Sequence, residues 1–301
     1  KDQLWGKSKW QRWPEITHTV PVTNDMTVAT PWGGLLYFSP SKNANEIVVT
    51  LDGAVESPLF ESTKLNHDWL EERQLPGPWA ELKGKHMVIT VPSASIRDLE
   101  DAKAVTDFWD TVLSSHCELA GVPTPSRLER FVADQQISAG YMHSGYPIMT
   151  WLDVATSKNG KLAAVLDIEH LTTRGSWGHF HELGHNLQRS WWTFGGTGEV
   201  TCNLFSLHAG EVLCGIEPWE NPWLQGQKNG GRKYLETGVD FAKWKASPGI
   251  ALISYAQLQK EFGWEPFTIV FKQYEVMPAK SRPGNNQEKM DELEKQIEKF
   301  R

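Results

Sequence analysis

A chain of 301 residues with 40% hydrophobic and 22% charged residues has enough apolar material for one large domain or two closely joined ones. Its net charge of -7 argues against nucleic acid as the main partner, because phosphate binding needs a basic face. No apolar run approaches the roughly 18 residues of a membrane helix. The opening KDQLWGKSKW has no signal-peptide core and reads as the start of a processed segment.

Residues 1–95 read as a small β-rich N-terminal region. The segments 18–22, 34–38, 46–51 and 86–91 are rich in valine, isoleucine or aromatics. Turn clusters such as SPSKNAN and PGPW separate them. From residue 97 to about 119 the pattern turns helical, with Leu99, Ala102, Val105, Phe108 and Val112 at spacings of three or four. Two strands are expected at 129–133 and 140–149, closing an α+β part that runs over 96–175. Beyond it, 176–301 reads as helical, with helices at 176–188, 198–213, 251–262 and 287–299. A further helix starts at Pro266, where proline suits a first turn. Segment 219–231, WENPWLQGQKNGG, is expected as a loop from its prolines and glycines, and the last helix as a solvated cap. The fold class is therefore α+β, a catalytic domain over 96–301 preceded by a β-rich region.

Cys117, Cys202 and Cys214 are too few and too scattered for a disulfide framework, and are read as small buried hydrophobes that leave the compartment open. Fifteen tryptophans are mostly core anchors, although an indole face can also stack on a pyranose ring.

The chemistry sits in residues 181–185, HELGH. Helix positions four apart lie about 40° from each other, so His181 and His185 project from one face. Two imidazoles in that geometry can share a zinc ion at about 2.0–2.1 Å. Glu182 stands about 100° round from His181, beside the ion, where it can serve as general base. The plain alternative is a structural helix with two hydrogen-bonded histidines. The flanks favour the metal: Ser176 offers an N-cap, and Trp177 and Phe180 supply packing.

A catalytic zinc needs a third protein ligand and an open position. Glu199 opens the next helix, and Asn203, four residues on, shares its face and can hydrogen-bond a ligating histidine. His208 and Glu211 fall about 180° and 120° away from Glu199, and His179 about 160° from His181, so none of the three suits the same ion.

WGHFHELGHNLQRSWWTF followed by GEVTCNLFSLHAGEVL resembles the enhancin-like zinc metallopeptidase family, a gluzincin group with mucin-degrading members. GGLLYF, PGPWAEL, ITVPSASIRDLED, QISAGYMHSGYPIM and FGWEPF extend the resemblance along nearly the whole chain. They are similar in particular to the animal TRP-channel-associated factors, which carry the same domain. The resemblance implies a gluzincin-type peptidase with one catalytic zinc, acting on O-glycosylated, mucin-like glycoproteins or glycopeptides. His181, Glu182, His185 and Glu199 match the family pattern in order and spacing. The channel-associated members imply an alternative: a non-catalytic module that binds glycans or a membrane-channel partner. The intact base Glu182 favours the enzyme, and the mucin-directed relatives favour a secreted or cell-surface location.

On the substrate side, AGYMHSGYPIM is expected as an edge strand, since Pro147 is tolerated there. Tyr141, His143 and Tyr146 on it are candidates to reach the substrate. Tyr255 is a candidate oxyanion donor. Trp191 and Trp192, between the predicted ligands, are read either as a sugar-stacking platform or as an apolar plug under the zinc helix.

Overall fold

The structure is a computed structural model that describes residues 19–29, 33–40, 47–64, 68–135 and 137–298. In chain order its elements are β1 (Leu59–Glu61), α1 (Trp69–Glu72), β2 (Trp79–Lys83), β3 (Met87–Pro92), α2 (Ala102–Ala120), β4 (Glu129–Asp134), β5 (Met142–His143) and β6 (Ile148–Trp151). Eight helices follow: α3 (Ile168–Arg174), α4 (Trp177–Leu187), α5 (Gly198–Cys214), α6 (Pro222–Glu236), α7 (Phe241–Lys245), α8 (Pro248–Phe262), α9 (Glu265–Val276) and α10 (Asn286–Ile297). None of them is long and apolar enough to cross a membrane.

The strands form one mixed sheet in the order β1-β2-β3-β4-β6-β5. The β2–β3 and β5–β6 pairs are antiparallel and the others parallel. β3, MVITVP, is central and buried on both faces, with Thr90 the polar exception, bonded to Glu81 and Arg130. Strands β1–β3 lie before residue 95 yet share this sheet with β4–β6, so the sheet itself crosses that point.

α2 lies against the sheet. Asp101 caps it by accepting from the Ala104 N–H, and Gly121 ends it in the left-handed conformation. Trp109, fully buried, packs edge-on against Phe131 of β4 and donates its indole N–H to the Val165 carbonyl. Asp110 accepts from the Lys85, His86 and Met87 N–H groups at 2.7–2.9 Å, which fastens the β2–β3 turn to the helix. α5 is buried along most of its length, and α2, α4 and α8 pack around it.

Several expected elements differ. Of the strand expected at 18–22, residue 18 lies outside the described residues and the rest is irregular. Segment 34–38 is irregular too, as is the described part of 46–51, residues 47–51. Their apolar side chains are largely exposed, with Val48 at 88%, and no described residues pair with them as strands. A β-pattern alone does not make a strand without a neighbour for its backbone groups. The span 140–149 is not one strand but β5 and β6 joined by a turn through Gly145, with β5 at the sheet edge. The segment 219–231 is not a loop: 222–231 lie in α6. Asn221 accepts from Trp223 N and Leu224 N, and Pro222 sits in the first turn, where its missing N–H costs nothing. Gly231 lets α6 approach α8, since a Cβ there would lie 2.8 Å from Ile253 Cδ1. α10 is only partly solvated, because Lys289 and Gln296 on it are buried.

Candidate metal centre

The HELGH turn lies in α4, whose inner side faces α2, β4 and α5. Ser176 is at the N-cap position, but its hydroxyl meets His179 Nδ1 at 2.7 Å and does not cap the helix. His116 of α2 donates its Nε2–H to the Phe180 carbonyl at 2.9 Å, fastening α4 from behind. Gly184, the fourth residue of the motif, is where α4 crosses α5: a Cβ there would stand 2.6 Å from the Cys202 carbonyl oxygen. That close crossing brings the histidines of α4 beside the first turn of α5.

His181 Nε2 and His185 Nε2 lie 3.0 Å apart. Glu199 Oε2 is 3.1 Å from the first and 3.5 Å from the second. Around a tetrahedral ion with bonds near 2.05 Å, ligand atoms are separated by about 3.3 Å, so the three atoms fit one face of such a site.

The outer partners fix which nitrogens carry protons. Asn203 Nδ2 donates to the Glu199 carbonyl at 2.7 Å, so its Oδ1 is the atom that meets His181 Nδ1, also at 2.7 Å. Gln188 Nε2 likewise donates to the Gly198 carbonyl at 2.6 Å, and its Oε1 meets His185 Nδ1 at 2.9 Å. Both amide oxygens can only accept, so both imidazoles hold their proton on Nδ1. The two Nε2 atoms and a carboxylate oxygen then face one another. Positive charge among them, a metal cation or a proton on Nε2 donated to Glu199, balances the carboxylate.

Glu182 is buried, and its carboxyl is raised above the usual range by that burial. His181, His185 and His143 oppose the rise, and Glu199 adds to it, so the carboxyl senses every member of the cluster. Glu199, more exposed, is held well below the usual carboxylate range by its hydrogen bonds to His181 and His185. Burial lowers His185, but its bonds to Glu199 and Gln188 outweigh that and leave it raised.

Among the described residues the group that could hold an ion also includes Cys202. Its sulfur is nearer His181 Nδ1, at 3.4 Å, than Nε2, at 3.8 Å, and so lies toward the edge of the ring that Asn203 occupies. Burial pushes its thiol pKa up, which disfavours the thiolate a metal needs. The three alternative ligands are also accounted for. His179 is a core residue against Trp109 and Phe131. His208 Nδ1 meets Ser115 Oγ, and Glu211 accepts from Trp264 and Gln259.

The substrate-side candidates separate into two groups. His143 is on the edge strand β5, held by Ser138 and the Ser144 carbonyl, close enough for its charge to act on Glu182. Tyr141 and Tyr146 flank that strand and are both about half exposed. Burial and then Asp153 push the Tyr141 hydroxyl up to about 12, and Arg127 covers the Tyr146 ring at 3.9 Å. Tyr255, in contrast, is a core side chain near Trp244 and not an open oxyanion donor. Trp192 is stacked on Phe271 at 4.4 Å and is 7% exposed, which makes it the plug and not a platform. The Trp191 ring is covered by the Arg282 guanidinium at 4.0 Å.

The sequence reading missed Gln188 and Asn186. Gln188 is three residues past His185, and the phase argument that found Asn203 would have found it. Asn186 bonds both the N–H and the carbonyl of Gly145, tying α4 to the β5–β6 turn, and no local pattern announces this.

The family model described as peptidase M60, enhancin and enhancin-like matches residues 53–297. TRPM8 channel-associated factor 2 of Bos taurus is 38% identical over 303 residues, covering 96% of this chain and 32% of the relative. The chain thus spans about a third of the length of the curated relatives it matches. Among solved structures, a functionally unknown conserved protein from Bacillus anthracis aligns with TM-score 0.65 and 24% identity, over 80% of this chain and 50% of that one. The M60 catalytic domain of Clostridium perfringens ZmpC, in complex with the sialyl T antigen, aligns with TM-score 0.57 and 12% identity, over 81% and 50%.

Proposed function

The chain belongs to the peptidase M60, enhancin and enhancin-like family, and from that premise we propose that it is a zinc peptidase in which His181, His185 and Glu199 hold the ion and Glu182 is the general base. One observation carries the reading: two imidazole Nε2 atoms and a carboxylate oxygen converge at 3.0–3.5 Å, a spacing that suits three ligands of one cation. When bound, zinc supplies Lewis acidity, making water acidic enough to lose a proton near neutral pH and polarising a scissile carbonyl.

The chain's own groups do the rest. Glu199 stays ionised and contributes the negative charge of the ligand set. Asn203 and Gln188 hold the two rings with Nε2 inward. Glu182, made more basic by burial, accepts the proton of the attacking water and returns it to the leaving amine nitrogen. The edge of β5, which pairs with no further strand among the described residues, receives an extended substrate and places it across Glu182 beside His143. Tyr141 and Tyr146, flanking that strand, are proposed to contact the substrate. The substrate class we assign is an O-glycosylated, mucin-like protein, supported by the sialyl T antigen bound to the ZmpC catalytic domain.

A second reading is supported by the names of the curated relatives: a module that binds a channel partner or a glycan without cleaving it. Zinc quantification together with digestion of an O-glycosylated protein separates the two. Wild type should bind one zinc and cleave, and Glu182→Gln should keep the zinc and lose turnover by about 10²–10⁴-fold. Zinc-loaded wild type that cleaves no glycoprotein favours the binding module, and cleavage undiminished in Glu182→Gln refutes the base.

A further inference from the structure

The segment between α4 and α5 joins the helix that carries His185 to the one that carries Glu199, and the C-terminal stretch grips it at four points. Glu275 accepts from Arg189 Nε at 3.1 Å. Arg282 lies over the Trp191 ring at 4.0 Å. Asn286 Oδ1 accepts from Gly195 N at 2.7 Å. Lys289 Nζ donates to the Thr193 carbonyl at 2.8 Å.

Lys289 is the unusual member. It is 8% exposed, whereas none of the other charged residues of α10 is buried. An ammonium group is costly to bury unless it serves an acceptor, and the acceptor it serves lies 96 positions away in the chain. Thr193 leads onward. Its hydroxyl is 3.2 Å from that of Thr201 on α5. Thr201 accepts from Gln188 Nε2, and Gln188 Oε1 accepts from His185 Nδ1. The same Gln188 amide donates to the carbonyl of Gly198, the residue before Glu199. One continuous path therefore runs from α10 to a candidate ligand on each metal-bearing helix.

We propose that α10 is a brace for the metal centre and that Lys289 is its positioning residue, setting the orientation of His185 and the placement of Glu199 through Thr193, Thr201 and Gln188. The inference rests on the reading of the cluster as a zinc site. It makes zinc binding and the docking of α10 two halves of one equilibrium, so each strengthens the other.

The test uses the full 301-residue chain. Zinc affinity is measured by chelator competition for wild type, Lys289→Met, Lys289→Arg and Asn286→Ala, with the metal-free melting temperature recorded for each. Lys289→Met and Asn286→Ala should weaken zinc by about tenfold or more, and Lys289→Arg by less than Lys289→Met. Zinc should also slow amide exchange across residues 286–297 in wild type and do so far less in Lys289→Met. A folded Lys289→Met chain that binds zinc within twofold of wild type overturns the brace, whatever its melting temperature. Should Lys289→Met fail to fold, Asn286→Ala decides on the same twofold criterion. The wild-type arm alone judges the underlying reading: a wild-type chain that binds no zinc overturns the metal centre and the brace with it.

Discussion

Histidines on and against α4 and α5 stand under opposite conditions on the two sides of the helix pair. On the core side, His116, His179 and His208 are buried, and burial pushes each down to about 4, so they stay neutral. Their hydrogen bonds go to a carbonyl or a serine hydroxyl. On the cleft side, His181 and His185 turn their free nitrogens toward each other and toward Glu199. The difference lies in the partner of Nδ1. Where an amide oxygen fixes that proton and leaves Nε2 facing Glu199, a histidine is placed as a candidate ligand; where aromatic rings close around it, it becomes core.

That contrast predicts which measurements each substitution moves. Trp192→Ala, on the core side, removes a side chain stacked on Phe271 and should cost about 3–5 kcal/mol of metal-free stability, read by denaturant unfolding. Cleavage of glycosylated and bare peptides should fall together; a selective loss on the glycosylated one would restore the platform role. Glu199→Ala, on the cleft side, should reverse the pattern. Zinc affinity drops by more than the ~100-fold that outer partners can cost, while metal-free stability falls far less than in Trp192→Ala, because Glu199 is largely exposed and its bonds to the histidines are screened by water. Asn203→Ala should weaken zinc by about 10–100-fold, and a loss of stability without any change in zinc affinity would assign it to the core side instead.

Acid should act on the core side in small steps. His116 and His208 have folded pKa values near 4, below the ordinary 6.5, so the unfolded chain takes up protons first as the pH falls. Stability from these groups is full above about pH 6.5 and declines toward about pH 4, by at most about 1.4 kcal/mol per pH unit for each histidine. Metal-free unfolding curves across that window check it. His116→Gln should flatten the slope by one histidine's share, and an unchanged slope counts against the assignment.

Helical phase put His181 with His185 and Glu199 with Asn203, each pair on one face of its own helix, because regular helices convert spacing into direction; that the two faces meet depends on the crossing at Gly184. It failed where neighbours decide the outcome. Residues 34–38 are apolar and aromatic like a strand but pair with no strand among the described residues. Pro222 and the glycines of α6 look like loop punctuation until Asn221 caps the helix and Ile253 is seen to need the room at Gly231. Trp192 and Tyr255 look available for substrate on a line of text, and packing against Phe271 or near Trp244 withdraws them. The span 140–149 was legible as an edge but not as a broken one, since Asn186, far away in the chain, holds its turn.

Gly184 has a bearing on transplantation. The letters of the motif place two imidazoles on one face of any helix, but the distance to the third ligand belongs to the helix pair. Here that pair can meet only where a hydrogen atom stands in place of a side chain, against the Cys202 carbonyl. Carried onto a scaffold whose helices cross at a wider gap, the five residues would hold their histidines correctly and leave the glutamate out of reach.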